Sequence, residues 1–295
     1  MLSSIKVQLK VMRVSKEFRI AMLISFAYAA WAFMFCALEA RGVDLSQVED
    51  ANQYVCFSPL LGVWNIFMMI YPFIVVMPFA TSYISDYKNR ILVLYASRVS
   101  RKKYYISKLI AAGIGSALVI AIPFLINLLL CNLFFPHNLN TWRGSYPLKS
   151  YCDALLGARV DYIPLNEQLP FLKLFLASPA LYNLLYLIMF AFLTGLFGIL
   201  AMACSFVIRR TKILVYILIY ALVQIMQNVD GKLLSAAIDG KRECYLCINL
   251  ITYFLPHENN SGFAVTVLLT EIGMILLVIF LCSVYAINDE IRSVQ

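Results

Sequence analysis

Charge is scarce in this chain, and histidine and short catalytic signatures are scarcer. Only 14% of its residues are Asp, Glu, Lys or Arg, against roughly a quarter in soluble domains, which excludes an ordinary water-soluble fold. Its two histidines, His137 and His257, stand far apart in expected loops and read as solvated residues rather than ligands or bases. Gly231-Lys232 and Gly240-Lys241 lack both the earlier glycine and the following Ser or Thr of a phosphate-cradling loop. No HExxH or GxSxG occurs, so no short motif assigns catalytic roles. The chain is expected not to be an enzyme, to carry no metal and to need no cofactor of its own.

Apolar length is what the chain has. A hydrophobic fraction of 62% is gathered into blocks able to cross about 30 Å of hydrocarbon, which takes roughly 20 helical residues. The pattern predicts an all-α membrane protein with six spans, at about 20–38, 60–81, 109–133, 180–208, 213–229 and 263–287. Pro72, Pro78 and Pro123 fall inside the second and third spans, where each deletes a backbone hydrogen bond and permits a kink. A cleavable leader is not expected, because the first apolar run is long and no small-residue cleavage site follows it.

Orientation follows from the loops. The alternating connections divide the 24 Lys and Arg two to one, and acids run the other way. That is the positive-inside pattern, with both termini cytoplasmic and the chain in a plasma membrane. The basic balance therefore points to anionic lipid, with nucleic acid a poor second. Residues 1–19 read as an interfacial helix, Leu2, Ile5, Leu9 and Met12 on one side and Lys6, Lys10 and Arg13 about a quarter-turn away.

Four cysteines, Cys56, Cys152, Cys244 and Cys247, fall in or near expected external loops. Cys244 and Cys247 form a CxxC that fits a disulfide, half of a metal site or two plain thiols. Cys36, Cys131, Cys204 and Cys282 read as packing residues. Glu271 is the one acid inside a span, costly if ionised without a partner. It reads equally as a functional polar group and as a structural hydrogen bond. Gln224, Gln227 and Asn228 cluster near the outer end of span five, for substrate or for interfacial water. Asn65 and Asn127 read as interhelical hydrogen bonds, and Tyr104 with Tyr105 as an aromatic belt.

The segment between spans two and three is the most distinctive. DYKNRILVLYASRVSRKKYYISKL carries Lys88, Arg90, Arg98, Arg101, Lys102, Lys103 and Lys108 against a single acid, Asp86. Tyr87, Ile91 and Leu94 recur at helical spacing, so residues 84–95 are expected to form a short helix on the cytoplasmic face. This segment resembles the coupling segment of the membrane subunit of ABC-2 type transporters. In that family an acid opens an amphipathic helix, and an Arg-containing turn leads to a Lys at the start of span three. Asp86, Arg101 and Lys108 take those places, although Asn89-Arg90 stands where a Gly-Thr pair is frequent. The resemblance implies a permease that exports a peptide, drug, lipid or glycan. It implies a separate ATPase subunit, holding ATP and Mg, that docks on Asp86, Tyr87, Arg90, Ile91, Leu94, Arg101 and Lys108. It also implies a second permease subunit, identical or related. The contrasting readings are a membrane sensor or immunity protein that moves nothing, and an ion-coupled transporter using Glu271.

Overall fold

The computed structural model describes residues 2–44, 48, 50–58, 63–89, 100–137, 171, 174, 177–209, 211–238, 250–251, 254 and 265–292. Among them every regular element is a helix. In chain order these are α1 (Leu2–Val14), α2 (Lys16–Glu39), α3 (Trp64–Val76), α4 (Ser82–Lys88), α5 (Arg101–Phe134), α6 (Pro179–Val207), α7 (Lys212–Ile238) and α8 (Val265–Arg292), with a 3-10 turn at Ala51–Gln53.

Four stretches are long and apolar enough to cross a membrane: Lys16–Glu39, Lys102–Phe134, Pro179–Val207 and Lys212–Val229. They coincide with the first, third, fourth and fifth expected spans. Their outward faces carry exposed Leu23, Leu129, Phe192 and Ile217, as lipid-facing helices require. The sixth expected span lies in the 28-residue α8, within which Leu269–Tyr285 is an apolar helix. The second, expected over 60–81, is not one helix. The 13 residues of α3 rise only about 20 Å at 1.5 Å per residue, and residues 77–81 are turns. Of its two prolines Pro72 is accommodated inside α3. At Pro78 the helix ends, since proline has no N–H to continue the ladder. Pro123 lies within α5 without interrupting it.

The connection after α2 is exposed at 41–44 but turns into the core further on. All of 50–58 is buried. Ala51 N–H donates to Pro136 O at 3.0 Å, and Asn183 Nδ2 donates to Asn52 O at 2.8 Å. Cys56 N–H donates to Asn127 Oδ1 at 2.8 Å while Asn127 Nδ2 donates to Ala29 O at 3.0 Å. Asn127 is thus the expected interhelical bond, and it also pins this segment. Asn65, by contrast, is exposed at the start of α3.

The main core is aromatic. Tyr28 stacks on Phe67 at 4.6 Å between centroids, Phe67 meets Phe124 at 5.2 Å, and Tyr71 stacks on Phe190 at 5.4 Å. Offset and edge-on ring pairs at these distances add to the area they bury. Beside the rings, α5 and α6 approach through small residues. A Cβ built on Gly195 would sit 3.1 Å from Gly113 O, and one on Gly198 would sit 3.1 Å from Ala112 O and overlap Ser116 Oγ. Small residues let membrane helices approach closely where no hydrophobic effect drives them together.

A second, smaller cluster forms at the end that carries α1 and α4, here termed the basic end. It gathers Met12, Phe79, Tyr83, Tyr104, Tyr105, Ala111, Ala112, Met202 and Phe206. The helix expected at the N-terminus is present, but its apolar side is committed to protein. Met12 is buried, Leu9 packs on the second cluster, and Ser4 Oγ donates to Ser107 Oγ at 3.1 Å. Lys6, Lys10 and Arg13 face outward.

Candidate functional site at the basic end

After the turn at 77–81 the chain makes only seven residues of helix, α4. A helix this short is marginal alone, so its position must come from side chains. Tyr83 and Ile84 turn inward and are fully buried. Tyr83 packs edge-on against Phe206 at 4.9 Å and shares a hydrogen bond with Tyr105 at 3.3 Å between hydroxyls.

The stronger tie is ionic. Lys108, in the second turn of α5, is 1% exposed, and its Nζ lies 2.8 Å from Asp86 Oδ2. The same ammonium donates to Ser82 Oγ at 2.8 Å. It also lies 4.9 Å from the Phe79 ring centroid and 5.5 Å from that of Tyr104. Tyr104 Oη donates to Asp86 Oδ2 at 2.7 Å. One buried cation is therefore held by a carboxylate, a hydroxyl and two ring faces, all but Tyr104 delivered by α4 and the turn before it. A buried charge survives only when it is paired and hydrogen-bonded in this way. The arrangement fixes α4 on α5 in one register.

This geometry revises part of the sequence reading. Asp86 and Lys108 were expected among partner-facing residues, but they face each other, and Lys108 is interior. Tyr104 and Tyr105 were expected in an aromatic belt, yet they are 3% and 1% exposed. The reason is length. The 34 residues of α5 rise about 51 Å, more than the roughly 30 Å of hydrocarbon, so its first turns have room to pack on α1, α4 and α6. Tyr87 does face outward, 43% exposed, with the Arg209 guanidinium 5.4 Å from its ring centroid. Arg90, Ile91 and Leu94 lie outside the described residues, as does the side chain of Arg101.

The other expected site residues are elsewhere. Gln224 and Gln227 are half-buried on α7, and Asn228 is exposed there, donating back to Gln224 O at 2.7 Å. Phe73 of α3 packs on Tyr220 of α7 at 5.4 Å. Glu271 is on α8 and 8% exposed. Cys56, expected as a disulfide partner, is instead a fully buried free thiol, because its loop folds into the core. Cys152, Cys244 and Cys247 lie outside the described residues. Cys36 and Cys131 do more than pack: both thiols donate to Tyr54 O, at 3.7 and 3.3 Å. Among the described residues no group of three or more His, Cys, Asp or Glu is placed to hold a metal.

Ser82, Tyr104 and Phe79 were missed as site residues. The available signal was Asp86 itself, the one acid in a run of seven bases, which needs an internal reason to be there. Neither protein-family models, nor curated proteins, nor solved structures contain a match to this chain.

Proposed function

We propose that this chain is the membrane-spanning subunit of an ATP-driven ABC exporter, with six spans, both termini cytoplasmic and the basic end facing a separate ATPase. The observation that supports it is the lock on α4. This short helix presents Tyr87 outward while Asp86 ties it to Lys108 on α5. Force applied to α4 would pass to α5 and, through the close Gly113–Gly195 approach, to α6. Packed elements with discrete arrangements are the physical carriers of such coupling. ATP and Mg belong on the partner, since the chain has no phosphate-cradling motif.

In this reading Tyr87, Arg90, Ile91, Leu94 and Arg101 form the docking surface, and Asp86 with Lys108 holds it in place. Asn65, Gln224, Gln227, Asn228 and Glu271 line the path of an exported peptide, drug, lipid or glycan, shared with a second permease subunit in the plasma membrane.

Purification of the chain from its native membrane tests this directly. An ATPase with a phosphate-cradling loop is expected to accompany it, with vanadate-sensitive hydrolysis. Tyr87→Ala/Leu94→Ala is expected to insert normally and to lose that subunit, since truncating a buried interface anchor costs about 2 kcal/mol or more. Absence of any ATPase from the wild-type preparation would overturn the reading.

A further inference from the structure

Where α1, α2, the turn after α3, α4 and α7 meet at the basic end, a cavity of about 220 Å³ opens. Asp86, Ser82 and Phe79, which hold Lys108, also border it, but the proposed docking of α4 leaves it open. Three charged side chains line it, along with Ser85 and an apolar wall that includes Val11 and Met77. Asp86, 20% exposed, is the most enclosed. Glu17 and Lys212, 48% and 41% exposed, stand at the more open side with carboxylate and ammonium 3.8 Å apart.

The charges select the ligand. Both Lys108 and Tyr104 take Oδ2 of Asp86, so Oδ1 keeps its acceptor capacity on a residue that lines the cavity. A ligand of one sign would meet one opposite and one like charge at Glu17 and Lys212. A zwitterion with an ammonium and a phosphate two carbons apart meets both favourably. A primary ammonium also brings N–H donors for Glu17, Asp86 Oδ1 and the Ser85 hydroxyl. Choline has no N–H and is recognised by aromatic cages, and a purely anionic headgroup offers nothing to the carboxylates. The cavity lies where α3 ends and apolar α2 and α7 begin, the level at which a lipid headgroup sits beside membrane helices.

We propose that this cavity binds the headgroup of phosphatidylethanolamine, with its ammonium on Glu17 and Asp86, its phosphate on Lys212, and its acyl chains leaving past Val11 and Met77. The site rests on the membrane-helix reading alone and does not depend on transport or on which leaflet the basic end faces.

The test is competition on the purified full-length chain in detergent supplied with equal phosphatidylethanolamine and phosphatidylcholine, bound lipid being counted by native mass spectrometry. Wild type is expected to retain the ethanolamine lipid about tenfold over the choline lipid, the scale of one hydrogen bond to a charged group. Soluble glycerophosphoethanolamine should displace it poorly. Glu17→Gln should bring the ratio toward parity. So should Ser85→Met, which fills the cavity and leaves the charges alone. Lys102→Gln, exposed on α5 and outside the cavity, should change nothing. Parity in wild type, or preference kept in both cavity variants, would overturn the proposal. Equal competition by the soluble headgroup would overturn the lipid as its ligand, and loss of preference in Lys102→Gln would reduce the effect to general surface charge.

Discussion

In the main core, Tyr28, Phe67, Phe124 and Phe190 meet ring against ring, and no charge is enclosed among them. At the basic end a comparable set of rings encloses a lysine and its carboxylate. The first arrangement tolerates small shifts, since each ring has many neighbours. The second does not, because Lys108 satisfies its charge only when Ser82, Asp86 and Phe79 stand in their places. Packing holds the bundle together, and the ion pair sets the register of one short helix on it. That division fits the proposed function, in which α4 moves as a unit with α5.

The largest expected effect breaks the packing side of this comparison. Phe67 is fully buried among Tyr28, Trp64, Tyr71, Phe124 and Phe190. Phe67→Ala is expected to cost about 3–5 kcal/mol, read from the unfolding midpoint in mixed micelles. A polar change nearby should not recover it, because the loss is of volume and only a neighbouring small-to-large change could refill it.

The polar side should behave differently. Lys108→Met leaves Asp86 without its cation and is expected to cost about 3 kcal/mol, toward the low end for a broken buried pair because Asp86 keeps some solvent. Removing the whole network, in Asp86→Leu/Tyr104→Phe/Lys108→Met, should return stability to within about 1 kcal/mol of wild type, as apolar replacement of buried pairs often does. Under the proposed function, coupling to the ATPase should nonetheless be lost. Stability that stays low in the triple variant would mean that these residues act through packing after all.

Met12→Ala sharpens the boundary between the two clusters. The side chain is 3% exposed and lies where a Cβ on Gly115 would overlap its sulfur. A loss of about 2 kcal/mol is expected, with faster hydrogen exchange confined to α1 and the first turns of α5. Asn127→Ala should have the smallest effect, about 1 kcal/mol, the scale of polar bonds between membrane helices. Its signature is local: raised reactivity of Cys56 as residues 50–58 loosen.

The four long helices were legible because hydropathy over twenty residues leaves few alternatives. Span two, expected over 60–81, is interrupted by turns at 77–81 around Pro78, and just before it hydropathy also does not separate a helix from a buried apolar loop. Val55, Cys56 and Phe57 are as hydrophobic as any span, yet their backbone is satisfied by Asn127 and by turns. Asp86 and Lys108 stood out in the sequence, but their partnership did not. They are 22 positions apart, and spacing alone cannot separate a pair that meets from two residues that meet a third party. Tyr104 and Tyr105 were placed in a belt because a span start was assumed at Leu109, whereas α5 begins at Arg101.

The central claim is that the outward face of α4 meets an ATPase. Replacing Tyr87 with a benzophenone-bearing residue in living cells, irradiating and identifying the adduct by mass spectrometry tests it most directly. The account predicts a protein adduct containing a phosphate-cradling loop, and none from the same probe at Phe280, exposed on α8. A probe at position 87 that captures only lipid, or a protein without such a loop, would contradict it.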